Sequence, residues 1–228
     1  MAGPLWLTLA ANDFRDRYRS FLDVAAELGI AIPPLGPGTS PTDAPPLRES
    51  FLTAIAAAQS YIVTSPDVIA APEYLEAVVE GIHKDKRALI ITTDESLEPL
   101  LKRFDLDVTD RRMYSPDPSG MDPIVLKSEE QRYAQGSSIL DGVADIHVSS
   151  AHAIWYGGRG GPFLTCPTGT RAVDRRDLPV DLRPREVTCA AVWPTDEGVN
   201  RLLLLAGAIM FDDYGDASGR RRRGISVN

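Results

Sequence analysis

The sequence has few cysteines and no long hydrophobic run. Only two of its 228 residues are cysteine, Cys166 and Cys189, which is too few for a disulfide-stapled scaffold and predicts a reduced, cytoplasmic protein. The longest apolar run, from Leu202 to Phe211, is about half as long as a membrane-spanning helix, so we expect no membrane insertion. No positively charged segment precedes the apolar stretch near the amino terminus, so a secretory signal is not predicted.

Positive charge is also scarce, with 24 Lys and Arg residues against 32 Asp and Glu residues and a net charge of -8. Binding to nucleic acid or to an anionic membrane needs a positive field, so neither is expected. The one basic run, Arg220 to Arg223, is more typical of a solvated tail than of a nucleic-acid site. Length and composition suit one globular domain, which we place at residues 1–214, followed by a flexible, arginine-rich tail at residues 215–228.

The first half of the chain alternates short apolar runs with amphipathic helices. The runs that predict strands are Leu5–Ala10, Ile30–Ile32, Tyr61–Thr64 and Ala88–Ile91. The stripes that predict helices run from Phe14 to Leu28, from Leu47 to Ala58, from Pro72 to Ile82 and from Leu97 to Phe104. Strands that alternate with helices in this way need crossover connections. We therefore predict an α/β fold with a flavodoxin-like, doubly wound, mostly parallel sheet.

The second half is richer in strand-like segments. Between Asp105 and Ser137 we predict turns with little periodicity. Further strands are predicted at Ile146–Ser149, Ala153–Tyr156, Phe163–Cys166, Val187–Trp193 and Leu202–Ala206. We expect several of these to be antiparallel and to extend the same sheet. The glycine-rich segment from Gly157 to Gly161 is followed by a strand and not by a helix, which favours a hairpin over a phosphate loop.

Two parts of the sequence resemble a known superfamily. The segments from Ser60 to Pro66 and from Lys86 to Val108 resemble the middle of class I glutamine amidotransferase-like domains. The segments from Ile139 to His147 and from Arg201 to Tyr214 are similar to the domain shared by gliding-motility ABC-transporter auxiliary proteins and an intraflagellar-transport subunit. From the first to the last, these segments span residues 60–214, about two thirds of the chain.

The chain departs from active amidotransferases at the residue that matters most. The resemblance places a nucleophilic cysteine on the sharp turn after the strand Ala88–Ile91, but this turn reads Thr92-Thr93-Asp94-Glu95. Cys166 precedes a proline and Cys189 lies inside an apolar run. The resemblance therefore implies no catalytic residue and no glutamine hydrolysis. It implies instead a non-catalytic binding or scaffold module, part of a larger bacterial assembly.

Polar residues follow several predicted strands, where open α/β sheets place their ligands. This predicted rim comprises Asn12, Asp13, Ser65, Asp67, Thr92, Thr93, Asp94, Glu95 and Asp212. The carboxylates oppose a phosphate at the following helix, so a small neutral ligand, a cation or the basic side chain of a protein partner fits better. Helix capping and turn formation explain the same residues without any ligand.

Other readings stay open or are disfavoured by the sequence. A hydrolase that uses Asp94 or Glu95 as general base is the alternative, and it requires a partly buried carboxylate with a raised pKa.

His147 and His152 are five residues apart and would face opposite sides of one strand, so we predict no metal site, and no cofactor is implied. Trp155 and Tyr156 suit either the core or an exposed patch, and homo-oligomer formation is left open.

Overall fold

The computed structural model describes thirteen stretches of the chain. They are residues 3–7, 19–32, 45–64, 71–92, 95–116, 124–135, 138–148, 151–180, 187–194, 198–207, 214–215, 221–222 and 225–227. In these stretches no helix is both long enough and apolar enough to cross a bilayer.

A six-stranded mixed sheet forms the centre of the described structure, in the order β1-β2-β3-β12-β11-β8. Its strands are β1 (Leu5–Leu7), β2 (Ser60–Val63), β3 (Arg87–Ile91), β8 (Gly161–Thr165), β11 (Thr188–Pro194) and β12 (Asn200–Leu205). β1, β2, β3 and β12 run parallel, whereas β11 is antiparallel to both of its neighbours. The carboxyl ends of the four parallel strands therefore meet at one edge of the sheet.

Helices pack on both faces of the parallel strands. They are α1 (Arg19–Glu27), α2 (Pro45–Ala57), α3 (Pro72–Lys84) and the short α4 (Glu98–Leu101), which is flanked by 3₁₀ turns at Glu95–Leu97 and Lys102–Phe104. α2 and α3 share a hydrophobic cluster with Tyr61, Val63 and Ile90, whereas α1 packs on Ile62, which points to the other face. α1 is followed by a turn at Gly29, whose φ of 72° is the left-handed geometry that glycine adopts without strain.

Smaller antiparallel sheets cover the rest of the second face. Their strands are β4 (Leu106–Tyr114), β5 (Ile124–Lys127), β6 (Val143–Val148), β7 (His152–Tyr156), β9 (Arg171–Val173), β10 (Pro179–Val180), β13 (Tyr214–Gly215), β14 (Arg221–Arg222) and β15 (Ile225–Val227). The sheets have the orders β10-β9-β4-β7 and β15-β6-β5, and β13 pairs with β14. The second hydrophobic cluster joins β4, β5, β6, β7 and β9 to the central sheet, and includes Met113, Ile146 and Phe163.

The structure confirms a mixed α/β fold and most of the predicted elements, with four differences. Ile30–Ile32 is not a strand. β6 and β7 belong to separate smaller sheets and do not extend the central one. Gly157–Gly160 does not close a hairpin, because β7 and β8 belong to different sheets. β4, a nine-residue strand, and β5, a four-residue strand, lie where only turns were predicted.

The predicted tail contains two short strands that the sequence did not suggest, β14, which pairs antiparallel with β13, and β15. β15 pairs antiparallel with β6, with Ile225 opposite Ile146. The flexibility of the remaining tail and the single domain at residues 1–214 stay predictions.

The aromatic pair at the end of β7 is exposed. Trp155 is 58% and Tyr156 36% accessible to solvent. Of the two alternatives, packing in the core or lying in an exposed patch, the structure therefore supports the exposed patch.

Candidate functional site

An open cleft of about 570 Å³ lies beside the carboxyl end of β3. Its lining residues come from the turn before α4, from β4, from β7 and from the β9–β10 loop. They are Glu95, Ser96, Thr109, Asp110, Arg112, His152, Asp174, Arg175 and Asp177. The backbone N–H of His152 donates to the carbonyl of Ala206 at 2.9 Å, which joins the cleft to the end of β12. The cleft therefore lies at the edge where open α/β sheets bind ligands.

A break in the β4–β7 ladder presents the β4 residues to this cleft. The pairing shifts register between Val108 and Arg112, so the residues between them leave the regular ladder. The hydroxyl of Thr109 donates to the carbonyl of Ala153 at 2.8 Å and accepts the N–H of Arg111 at 3.3 Å. These two bonds hold the irregular segment that carries Asp110 on the cleft wall.

The imidazole of His152 is held by the same segment. Its Nδ1 lies 3.0 Å from the carbonyl oxygen of Thr109, and because a carbonyl only accepts, Nδ1–H is the donor. In the neutral ring Nε2 is then left as an acceptor. His147 lies on β6, in a different sheet, so the two histidines do not share one strand as the sequence analysis assumed. The described part of the chain brings no three His, Cys, Asp or Glu residues together as metal ligands.

Two arginines cross the cleft and pair with carboxylates from other segments. Arg112 Nη2 donates to Asp177 Oδ1 at 2.8 Å. Arg175 pairs with Glu95, and its Nε is 3.8 Å from Asp110 Oδ2. These side chains are between 43% and 75% exposed, so each pair contributes little to stability and its main effect is on position.

The β9–β10 loop that carries Arg175 is fixed by one aspartate. Asp174 Oδ1 accepts the backbone N–H groups of Arg176 at 2.8 Å and Leu178 at 3.0 Å. Asp177 has a φ of 56°, a left-handed conformation that aspartate tolerates better than most residues. The loop is thus a preformed turn that holds a cation over the cleft.

Only two residues of the predicted rim are described. Thr92 is 7% exposed, and its backbone N–H continues the sheet by donating to Leu205 O at 3.1 Å. Glu95 lines the cleft. The others lie outside the described residues, so the rim as a whole stays a prediction: Asn12, Asp13, Ser65, Asp67, Thr93, Asp94 and Asp212.

The sequence analysis did not predict the β4 and β9–β10 side of the cleft. A signal was present, because the triplet Asp-Arg-Arg occurs at residues 110–112 and again at residues 174–176. The two triplets supply both arginines of the cleft and two of its carboxylates, Asp110 and Asp174. The two triplets line one cleft because β4 pairs with β9, which brings together segments about sixty residues apart in the chain. The sequence alone does not indicate this pairing.

Neither cysteine lines the cleft. Cys166 and Cys189 are free and buried, with Cys166 Sγ 3.7 Å from Met113 Sδ and Cys189 Sγ 3.5 Å from the carbonyl of Leu164. A hydrogen bond with Cys166, together with burial, raises the pKa of the Cys189 thiol. Both groups are therefore part of the core and are not poised as nucleophiles.

The fold defined by these elements has counterparts among solved structures. No family model matches the chain, and no curated protein matches it in sequence. The mmIFT52 N-terminal domain aligns with 93% of this chain and 89% of its own length, at a TM-score of 0.63 and 9% identity. The glutaminase domain of Trypanosoma brucei CTPS with bound acivicin aligns with 92% of this chain and 86% of its own length, at a TM-score of 0.47 and 8% identity. The first likeness supports the predicted α/β fold, and it concerns the fold alone.

Proposed function

We propose that the chain is a non-catalytic, amidotransferase-like binding or scaffold module, which acts in the cytoplasm as part of a larger bacterial assembly. One observation carries the proposal. The turn after β3 has no cysteine in its sequence, while Cys166 and Cys189 are both buried in the core away from the cleft. An amidotransferase-like fold without its nucleophile retains a cleft but loses the covalent step.

The cleft suits a protein partner that offers a basic side chain, or a small neutral ligand. Four carboxylates and two arginines line it, so an anionic ligand would meet repulsion. Arg175 lies beside both Glu95 and Asp110, which supports a site where these two carboxylates receive a cationic side chain. A partner's arginine or lysine would take this position by displacing Arg175.

The hydrolase alternative has less support. A general base of that kind needs a carboxylate removed from water. Glu95 is 47% exposed and paired with Arg175, so its surroundings are those of a binding residue. Asp94 lies outside the described residues.

Flavodoxin-like connectivity and assembly into a homo-oligomer remain part of the proposal.

The test is affinity capture from the native host with four forms of the full chain, quantified by mass spectrometry. We expect a partner that is captured by the unmodified chain and is lost when Glu95→Gln and Asp110→Asn are combined. The variant Arg175→Ala should retain the partner or capture more of it, because the competing internal cation is gone.

Arg103→Gln is the matched control, since Arg103 is also exposed and pairs with one carboxylate, Glu76, and neither residue lines the cleft. It should behave as the unmodified chain does. If every captured protein is insensitive to the Glu95 and Asp110 substitutions, the cleft is not the binding site.

A further inference from the structure

A second cavity, of about 290 Å³, lies at the opposite end of the central sheet, where β2, β3 and β12 begin. Its floor is one row of apolar side chains in register across four strands. Ile62 is opposite Leu89, Leu89 is opposite Leu203, and Leu203 is opposite Val192. Since neighbouring strands are about 4.8 Å apart, the row is about 14 Å long. Leu89, Leu203 and Val192 remain only half-buried, so this floor is open to a ligand.

The described chain borders the row at its sides. Phe21 and Leu22 of α1 pack on Ile62 at one end. Ile139, which is 55% exposed, also lines the cavity. The row thus has apolar borders among the described residues.

Two arginines stand at the mouth of this cavity. Arg87 and Arg201 precede Leu89 and Leu203 by two residues, so they project from the same face of the sheet. They come directly before the register pair formed by Ala88 and Leu202, which makes them neighbours on adjacent parallel strands. Like charges at this spacing repel each other unless an anion lies between them.

Nothing in the described lining neutralises these two cations. No Asp or Glu is among the described residues that line the cavity. Arg201 donates from Nη1 to the backbone carbonyl of Asp85, but its buried Nε has no hydrogen-bond partner in the described structure. The guanidinium groups therefore keep donors available for a carboxylate, which they bind well through paired N–H groups.

We propose that this cavity binds an amphipathic carboxylate, with its carboxylate between Arg87 and Arg201 and its alkyl chain on the half-buried floor formed by Leu89, Leu203 and Val192. The two arginines lie beside the middle of the row, and α1 covers the Ile62 end, so the chain extends from the head group toward Val192. Apolar burial supplies affinity, and the two arginines select a negative head group. This site is independent of the cleft at the other end of the sheet.

The test is isothermal titration calorimetry of the full chain with decanoate below its micelle concentration. We expect saturable binding of one decanoate per chain. Decanol and decyltrimethylammonium should bind at least about tenfold more weakly, because they keep the alkyl chain but lose the negative charge. Acetate should give no measurable binding, because it lacks the apolar chain.

Variants separate this site from unspecific binding. Arg87 is exposed, so Arg87→Gln should fold normally, as circular dichroism would verify, and should weaken decanoate binding by about tenfold. Leu203→Gln should weaken it by a similar factor through the floor of the cavity. Arg103→Gln removes one positive charge elsewhere and should leave the affinity unchanged.

Four results would overturn the proposal. The first two are a decanoate titration without saturation and equal affinity for decanoate and decyltrimethylammonium. The others are binding of decanol as tight as that of decanoate, and equal effects of Arg87→Gln and Arg103→Gln.

Discussion

At the scale of single residues, burial determines which side chains are available for chemistry. Cys189 has the residue type of an amidotransferase nucleophile, but it lies inside β11 with its thiol hydrogen-bonded and its pKa raised. Glu95, by contrast, is exposed and faces the cleft, where it pairs with Arg175. The thiol of Cys189 is therefore buried and the exposed carboxylate of Glu95 is already paired, which supports the proposed role in binding.

The first prediction concerns these thiols. Because the pKa of Cys189 is raised, less of it is thiolate at pH 8 than of a free cysteine, and Cys166 is shielded by the same core. We expect the native chain to react with a chromogenic disulfide reagent at least about a hundredfold more slowly than the chain unfolded in guanidinium, in which both thiols react. One thiol per native chain that reacts as fast as free cysteine would contradict their burial.

At the scale of elements, neighbouring strands complete the carboxyl end of α2. The last carbonyls of a helix have no partner within it. Here the Tyr61 hydroxyl donates to Ile55 O at 3.0 Å, and Lys86 Nζ donates to Ala56 O at 2.8 Å and to Ala58 O. Burial and then the charge of Asp85 raise the pKa of Tyr61, so its hydroxyl remains a donor. This bond ties α2 to β2 through one buried side chain.

The second prediction follows from the fit of Gly81 against that hydroxyl. A Cβ at Gly81 would lie 2.4 Å from Tyr61 Oη, so Gly81→Ala should lower the free energy of unfolding by about 1–3 kcal/mol. Tyr61→Phe should cost about 1 kcal/mol through the lost hydrogen bond. In the double variant the cost of Gly81→Ala should shrink, because the clashing oxygen is gone.

Urea unfolding of the four chains, followed by circular dichroism, measures this coupling. Gly161→Ala is the control, because no atom lies within 4 Å of its added Cβ, and it should change stability by less than about 0.5 kcal/mol. Additive costs for Gly81→Ala and Tyr61→Phe would show that the hydroxyl does not limit the space at residue 81.

Elements differed in how well the sequence predicted them, for physical reasons. β2 and β3 are continuous apolar runs, and α3 has an apolar stripe that begins at a proline in its first turn, so local pattern was sufficient. β4 was missed because its ladder breaks next to polar and charged residues and its two ends face different cores, with Leu106 in one and Met113 in the other.

At the scale of the whole molecule, the central sheet separates two kinds of surface. The carboxyl ends of its parallel strands carry a charged cleft, and the amino ends carry an apolar cavity with two arginines. The net charge of -8 is a total for the whole chain and does not indicate that the two ends of the sheet differ in charge. Local pattern could not predict which sheet each strand joins, since the pairing of β4 with β7 and β9 is set by long-range packing.

The proposal that the chain has no glutaminase activity is tested most directly by one assay. Purified chain is incubated with glutamine at pH 8, and ammonia release is followed with increasing protein concentration. We expect the rate to equal that of the buffer blank at every concentration, because the turn from Thr92 to Glu95 has no nucleophilic thiol. Ammonia release that rises in proportion to the protein, and that is abolished by Cys166→Ala or Cys189→Ala, would contradict a non-catalytic role.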